Sequence, residues 1–336
     1  MKSKNLIIII LLFLIVFIFA GCGSKEKDSD KTISFVIGTV ETEDSITGKL
    51  MREFEEYVET ETKGKVDVQI MDNSVLGGER EILEGVELGT IHMALPGSTQ
   101  FEQYDKKFSI LDIPFLFPSL EANEKAWSGE LGKTYVQWLN EIGFECYGFV
   151  PLGFRGVANS KHTVKTPEDL KGMKIRVMES QNYVDMFNAL GANAVPMSYS
   201  EVYTALQQGT IDGQDNPPQY NVEAGFYELQ PYYTRTNHVM SRMLYITSTA
   251  FMDSLDDEIR TIVEKGLSET LAKHQKQAIE ADEGYIKQMQ AAGIEVIELS
   301  DSEMQEFIKK VADIHNSFRK KVGDDIFEMA LRCSKG

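Results

Sequence analysis

Asp169-Leu170-Lys171-Gly172-Met173-Lys174-Ile175-Arg176-Val177 and, further on, Asp212-Gly213-Gln214-Asp215-Asn216-Pro217 set the reading of the whole chain. In the first segment Met173, Ile175 and Val177 alternate with Lys174 and Arg176, the period of a half-buried strand. Thr166-Pro167-Glu168-Asp169 ahead of it reads as an N-cap, a first-turn proline and two acids that suit a helix start. Gly172 then ends that turn and launches the strand. Downstream, Ser198 and Glu201 have capping-box spacing, with Val202, Ala205 and Leu206 on one face before Gly209. The series is strand, helix, strand, helix: an α/β pattern that leaves ligand crevices at strand ends. Upstream, Gly153-Phe154-Arg155 supplies a second arginine in apolar surroundings. An arginine so placed is a solvated surface charge, half of an internal ion pair, or a fixed fork for a carboxylate.

Around this centre the chain is an acidic, globular α/β sequence. Its 336 residues are 42% hydrophobic and 10% aromatic, enough for one large or two medium domains. The formal charge of −18 and the lack of a basic patch argue against nucleic acid. An anionic ligand would need a local positive site such as the two arginines.

Lys2 and Lys4 precede an apolar run, Leu6 to Ala20, which has the form of an export signal and is short for a membrane span. Small residues before Cys22 suit cleavage and lipid attachment to its thiol. The alternative is an uncleaved anchor helix. Loss of Lys2 and Lys4 with the leader takes the charge from −18 to −20. Residues 23–31 read as a flexible tether. Cys146 and Cys333 show no metal or redox spacing, and sequence leaves their pairing open.

Residues 32–95 read as β-α-β-α-β. Ile46, Leu50, Phe54 and Val58 make one core stripe, and Ile91–Leu95 forms the last strand. Leu111-Asp112-Ile113-Pro114-Phe115-Leu116-Phe117 is apolar but for Asp112, and its two phenylalanines are assigned to the core. Residues 120–142 predict one helix, 143–151 and 242–247 strands. From Ser254 to Ala292 the helix signal is almost continuous, with Gly266 and Gly284 as candidate bends. Ile294–Leu299 is a strand, and Ser300 with Glu303 caps a final helix.

Enzyme motifs are missing from the sequence: Gly-x-Ser-x-Gly, His-Glu-x-x-His and Gly-x-Gly-x-x-Gly all fail to occur. Gly132-Lys133-Thr134 resembles the end of a P-loop, but Trp127 stands where its first glycine belongs. The five histidines are scattered, and His238 is read as structural. The expectation is no catalytic activity, no metal and no cofactor.

The combined motifs resemble the solute-binding receptors of tripartite ATP-independent periplasmic (TRAP) transporters, the DctP family. The pieces are Gly-Phe-Arg at 153–155, the 169–177 run, Leu-Gly-Ala at 190–192, Ser-Glu-Val-Tyr-x-Ala-Leu-Gln at 200–207, Asp-Gly-Gln-Asp-Asn-Pro at 212–217 and Thr-Asn-His at 236–238. They cover nearly all of 32–330. Phe19-Ala20-Gly21-Cys22 resembles a bacterial lipobox, with Phe19 where leucine is usual.

The resemblance implies a two-lobed type II periplasmic-binding-protein-like fold with a long lobe-spanning helix. Lobe I would comprise 32–152 and 240–280, and lobe II 153–239 and 281–330, after a 1–22 signal and a 23–31 tether. It implies that Arg176 takes the ligand carboxylate bidentately, that Arg155 and Asn216 bond the same anion, and that Tyr199 lines the cleft. Loops 39–43 and 96–101 would face the cleft, which brings in Glu43 and Gln100. Some relatives have an arginine near Gln100; its absence disfavours a bulky sialic acid. Glu179, near the strand end, either pairs with Lys171 or Lys174 or accepts ligand hydroxyls. The implied receptor is exported and lipid-anchored through Cys22 on the outer face of the bacterial membrane. It would close on a C4-dicarboxylate or sugar acid and deliver it to a TRAP permease. A ligand sensor and an exported hydrolase are the rival classes.

Overall fold

The computed structural model describes residues 32–335. The 1–22 signal, Cys22 and the 23–31 tether lie outside them. In chain order the elements are β1 (Ile33–Gly38), α1 (Ile46–Glu61), β2 (Val66–Met71), α2 (Glu79–Glu87), β3 (Met93–Ala94), α3 (Leu120–Ser128), α4 (Glu130–Glu141), β4 (Phe144–Phe154) and β5 (Gly156–Asn159). Then come β6 (Lys174–Val177), α5 (Gln181–Ala189), β7 (Asn193–Pro196), α6 (Val202–Gln207), β8 (Gly213–Asn216), α7 (Pro218–Glu223), β9 (Tyr232–Arg235) and β10 (Met240–Ser248). The last are α8 (Thr249–Ser254), α9 (Asp257–Ala291), β11 (Glu295–Glu298), α10 (Asp301–Lys310), α11 (Ala312–Val322) and α12 (Asp324–Ser334).

Two mixed sheets result, in the orders β2-β1-β3-β10-β4 and β11-β9-β5-β8-β6-β7. The chain passes from the first to the second at Arg155, the one residue between β4 and β5. It returns through 236–239. In the first sheet β1 and β3 are parallel, and β10 runs antiparallel to β3 and β4. The β10–β4 register shifts between Ser241 and Arg242, where Leu152 of β4 is left unpaired as a bulge. In the second sheet β6 is parallel to β7 and β8, so the ends of β6 and β8 place Arg176 and Asn216 along one edge.

Each sheet has its own core. Leu244, Ile246 and Phe144 pack with Phe101, Phe108 and Tyr135 in one cluster; Ile175, Val177, Tyr183 and Phe187 pack in another. The C-terminal helices divide between them. Phe307 and Val311 join the second cluster, whereas Phe318, Val322, Phe327 and Ala330 join the first. The expected assignment of 281–330 to the second half is therefore corrected for α11 and α12. Their apolar faces cover the helices and turns of the first sheet, and breaks at Val311 and at Gly323 (φ 91°) let the chain cross over.

α9 is one uninterrupted helix of 35 residues, roughly 52 Å long at 1.5 Å per residue. Asp256 caps it, accepting from the Ile259 N–H at 2.9 Å. Gly266 is not a bend. A Cβ there would come within 2.8 Å of the Tyr57 ring and 3.0 Å of Phe54, so the glycine lets α1 lie against α9. Near its other end Ile286 and Met289 pack on Ala158 and Tyr233 of the second sheet. The helix thus spans both cores.

Other differences are local. The 120–142 helix is two helices broken at Gly129, and Ile91–Leu95 keeps only the two-residue β3. Ser198 makes no side-chain cap, because its Oγ pairs with that of Ser200 at 3.1 Å, and α6 starts after a single 3-10 turn. Phe117 is in the first core and Phe115 packs against the second. Cys146 and Cys333 are both free thiols.

Candidate functional site

Arg155, at the crossing between the sheets, is 1% exposed. Its Nε donates to Asp215 Oδ2 at 2.6 Å, Nη1 to Ser241 Oγ at 2.7 Å, and Nη2 to Asn216 Oδ1 at 3.1 Å and to the Asp215 carbonyl. His238 Nε2 lies 3.2 Å from the same Asp215 carboxylate, and its Nδ1 lies 2.7 Å from Thr236 Oγ1. Burial lowers the His238 pKa against the pull of Asp215, so the ring is neutral near pH 7. A neutral ring that donates from Nε2 accepts at Nδ1. Burial alone would raise the Asp215 pKa, but Arg155 and His238 outweigh it and hold the carboxyl well below its usual range. Asn216 completes the network, donating from Nδ2 to Gln214 Oε1 at 2.7 Å. It stands at the end of β8.

Arg176 differs from Arg155 in one respect that matters. It is 2% exposed, and its Nε and Nη2 donate to the Met197 carbonyl at 2.9 and 2.7 Å. No carboxylate lies within salt-bridge distance of it among the described residues. Burial pulls its pKa down to about 10; Asp215 opposes this and the like charge of Arg155 reinforces it. Its guanidinium is thus buried with one edge tied to a carbonyl and no counter-charge in contact.

Arg155, Arg176, Asn216 and Tyr199 all line one cavity. Tyr199 also lines a second cavity that Glu41 shares. Of the expected residues these four come together. Gln100 and Glu179 line a separate groove, and Glu179, exposed, makes no ion pair with Lys171 or Lys174. Glu43 is exposed and lines none of these spaces, whereas Glu41, two residues earlier in the same loop, turns inward.

Three charged residues of the first cavity were not among the expected ones: Glu79, Asp112 and Arg242. Glu79 opens α2 and is held by the Gly97 N–H at 2.6 Å and Gln100 Nε2 at 2.8 Å. Gln100 thus serves the cavity indirectly. Asp112 accepts from Thr99 Oγ1 at 3.0 Å through Oδ1. Arg242 donates to Glu124 at 2.6 Å and to Asn123, and stacks 5.0 Å from the Trp127 ring centre. The signals available were a lone acid in an apolar run (Asp112), an acid after Gly77-Gly78 (Glu79), and an arginine opening an apolar strand (Arg242). No group of three or more His, Cys, Asp or Glu that could hold a metal ion occurs among the described residues.

The buried acids make stability pH-dependent. Burial raises Asp112 and Glu41 to about 8 each, helped by Glu102 at Asp112 and by Glu223 at Glu41. Unfolded, both titrate near 4. A raised folded pKa gives stability that is complete below the unfolded pKa and lost as pH rises through the folded one. The lowered pKa values of His92, His238 and His274 act oppositely, but only below about 6.5. From pH 6.5 to 8 Asp112 and Glu41 each cost up to about 1.4 kcal/mol per pH unit, and the raised Glu79 and Asp282 act in the same direction. The ligand-free protein is expected to melt lower at pH 8 than at pH 6.5. Asp112→Asn and Glu41→Gln should each flatten that slope in calorimetric scans; a slope unchanged in both would assign it to other groups.

Comparison with known proteins agrees with this architecture. The family described as bacterial extracellular solute-binding protein, family 7 (DctP), matches residues 37–321. The 2,3-diketo-L-gulonate-binding periplasmic protein YiaO of Escherichia coli is 33% identical over 246 residues, 73% of this chain and 75% of that protein. The sugar acid binding protein DctPAm of Advenella mimigardefordensis, solved with galactonate, superposes with a TM-score of 0.87 at 30% identity, covering 91% of this chain and 98% of that one. A TRAP periplasmic solute binding protein of Shewanella oneidensis, solved with succinate, gives 0.86 at 29% identity, covering 90% and 99%. No helix among the described residues is long and apolar enough to cross a membrane.

Proposed function

Because the chain belongs to the bacterial extracellular solute-binding proteins of family 7, whose members are binding proteins and not enzymes, we propose that it is an extracytoplasmic receptor for a small organic acid. Arg176 takes the acid's carboxylate, and the receptor hands the acid to a TRAP permease in the membrane. The observation that carries this reading is the Arg176 guanidinium: buried, lining a cavity, and without a carboxylate partner among the described residues. One edge of the fork is held by Met197, which leaves the Nη1 side to meet a carboxylate. Asn216 borders the same site, while Arg155 gives four of its five N–H groups to Asp215, Ser241 and Asn216 and so mainly positions. The similar proteins bound to galactonate and succinate support an organic acid ligand.

The two sheets would act as two lobes. They touch across the cleft where Ser180 Oγ donates to Glu102 at 2.6 Å and where the Ile46 N–H donates to Glu223 at 3.1 Å. Opening at these contacts would admit the acid. Cys22 would tether the receptor to the outer face of the membrane, which membrane fractionation reads directly.

A thermal-shift series with galactonate, D-erythronate and succinate tests the receptor reading. At least one acid should raise Tm with the logarithm of its concentration, and be recovered chemically unchanged. No shift with any of the three at millimolar concentration would refute it.

A further inference from the structure

The cavity has two walls of different chemistry. Arg176 and Asn216 stand on strands of the second sheet. Asp112 and Arg242 line the same cavity from the first-sheet side. Asp112 ends the 3-10 turn Lys106–Asp112, and Arg242 sits on β10 opposite the β4 bulge at Leu152. Both side chains are almost fully buried, at 2% and 3% exposure. Each keeps one polar atom without a protein partner: Asp112 Oδ2 and Arg242 Nε. Thr99 holds the other oxygen of Asp112, and Glu124 and Asn123 both hold Nη2 of Arg242. Buried polar atoms are ordinarily satisfied, so two left open on one cavity wall point to a group that supplies both halves.

Resting on the carboxylate reading above, we infer that Asp112 and Arg242 form a hydroxyl-recognising subsite opposite Arg176, and that the acid bound is a hydroxylated monocarboxylate. A hydroxyl donates to an acidic oxygen and accepts from a guanidinium N–H at once. A methyl can do neither, and burying it there leaves both protein atoms unpaired. A second carboxylate fits worse. Arg155 is paired with Asp215 and Arg242 with Glu124, so Arg176 is the one cavity-lining arginine, among the described residues, without a carboxylate partner. The cavity therefore has a counter-charge for one anion. A second would be buried beside Asp112 and Glu79 with no unpaired guanidinium left to take it.

The test is a matched four-carbon series, D-erythronate, butyrate and succinate, titrated calorimetrically into the wild-type protein, Asp112→Val and Asp112→Asn. The wild type should bind erythronate at least tenfold more tightly than butyrate or succinate. Asp112→Val should reduce the erythronate-to-butyrate affinity ratio tenfold or more, and Asp112→Asn should restore part of it. A ratio unchanged in Asp112→Val, or wild-type protein binding succinate or butyrate as well as erythronate, overturns the subsite and leaves the carboxylate reading intact. Wild-type protein binding none of the three removes the carboxylate reading and the subsite with it. Should Asp112→Val fail to fold, the wild-type series alone decides, since it deletes the hydroxyls from the ligand instead.

Discussion

Arg176→Ala is expected to weaken binding of the acid by a hundredfold or more while leaving a folded protein. The ligand carboxylate would be desolvated opposite nothing, a loss on the order of 3–5 kcal/mol for a buried charge deprived of its partner. At about 1.4 kcal/mol per tenfold this is roughly a hundred- to several-thousand-fold. Arg176→Lys should recover only part, because an ammonium keeps the charge and loses the fork. The ligand-free state makes the prediction sharper. Burial already depresses the Arg176 pKa to about 10, so the free protein holds this charge at a cost. The unliganded Arg176→Ala protein should therefore melt no lower than wild type. Calorimetric titration with the best acid from the thermal-shift series, alongside Tm without ligand, reads both. A folded Arg176→Ala protein that binds within about threefold of wild type would move the carboxylate site elsewhere, since that difference is well under 1 kcal/mol.

Arg176 could be picked out in the sequence because a strand period and its punctuation are local signals. β6 and α9 were legible for the same reason: alternation, glycine stops and an unbroken helical pattern each need only neighbouring residues. The cavity's other charges depend on distant contacts. Glu79 meets Gly97 and Gln100, and Arg242 meets Asn123 and Glu124 across more than a hundred positions. Nothing local tells such groups from surface charges. Glu43 and Glu41 show the limit within one loop, since which of two acids turns inward depends on backbone direction, not composition. The C-terminal helices show it for domains. α10 and α11 have similar amphipathic patterns, yet Phe307 and Phe318 enter different cores, because a break at Val311 redirects the chain.

Asp215→Ala should unfold more easily by about 3–5 kcal/mol, the cost of leaving Arg155 charged and buried alone. Asp215 is fully buried, and its carboxylate receives Arg155 Nε at 2.6 Å and lies 3.2 Å from His238 Nε2. The two partners' pKa values move apart, Asp215 down and Arg155 up, as an ion pair requires. A depressed folded pKa gives stability present above the unfolded value near 3.9 and lost as pH falls through the folded one. The wild-type protein should therefore lose this contribution only in strong acid, and Asp215→Asn should show a shallower acid limb. In urea, the Asp215→Ala midpoint should fall with the slope unchanged. The cost belongs to the orphaned guanidinium rather than to the pair. Replacing both partners, Arg155→Met with Asp215→Leu, should recover much of the lost stability, because neither desolvated charge remains. The double variant should still bind poorly. Arg155 also ties Asn216 Oδ1 and Ser241 Oγ to the point where the chain crosses between the sheets. Without it, Asn216 beside the Arg176 site and β10 on the facing wall lose their common anchor. Stability restored with affinity still lost would identify the Arg155–Asp215 pair as a positioning device. Restoration of both would reduce it to a buried pair that the fold tolerates.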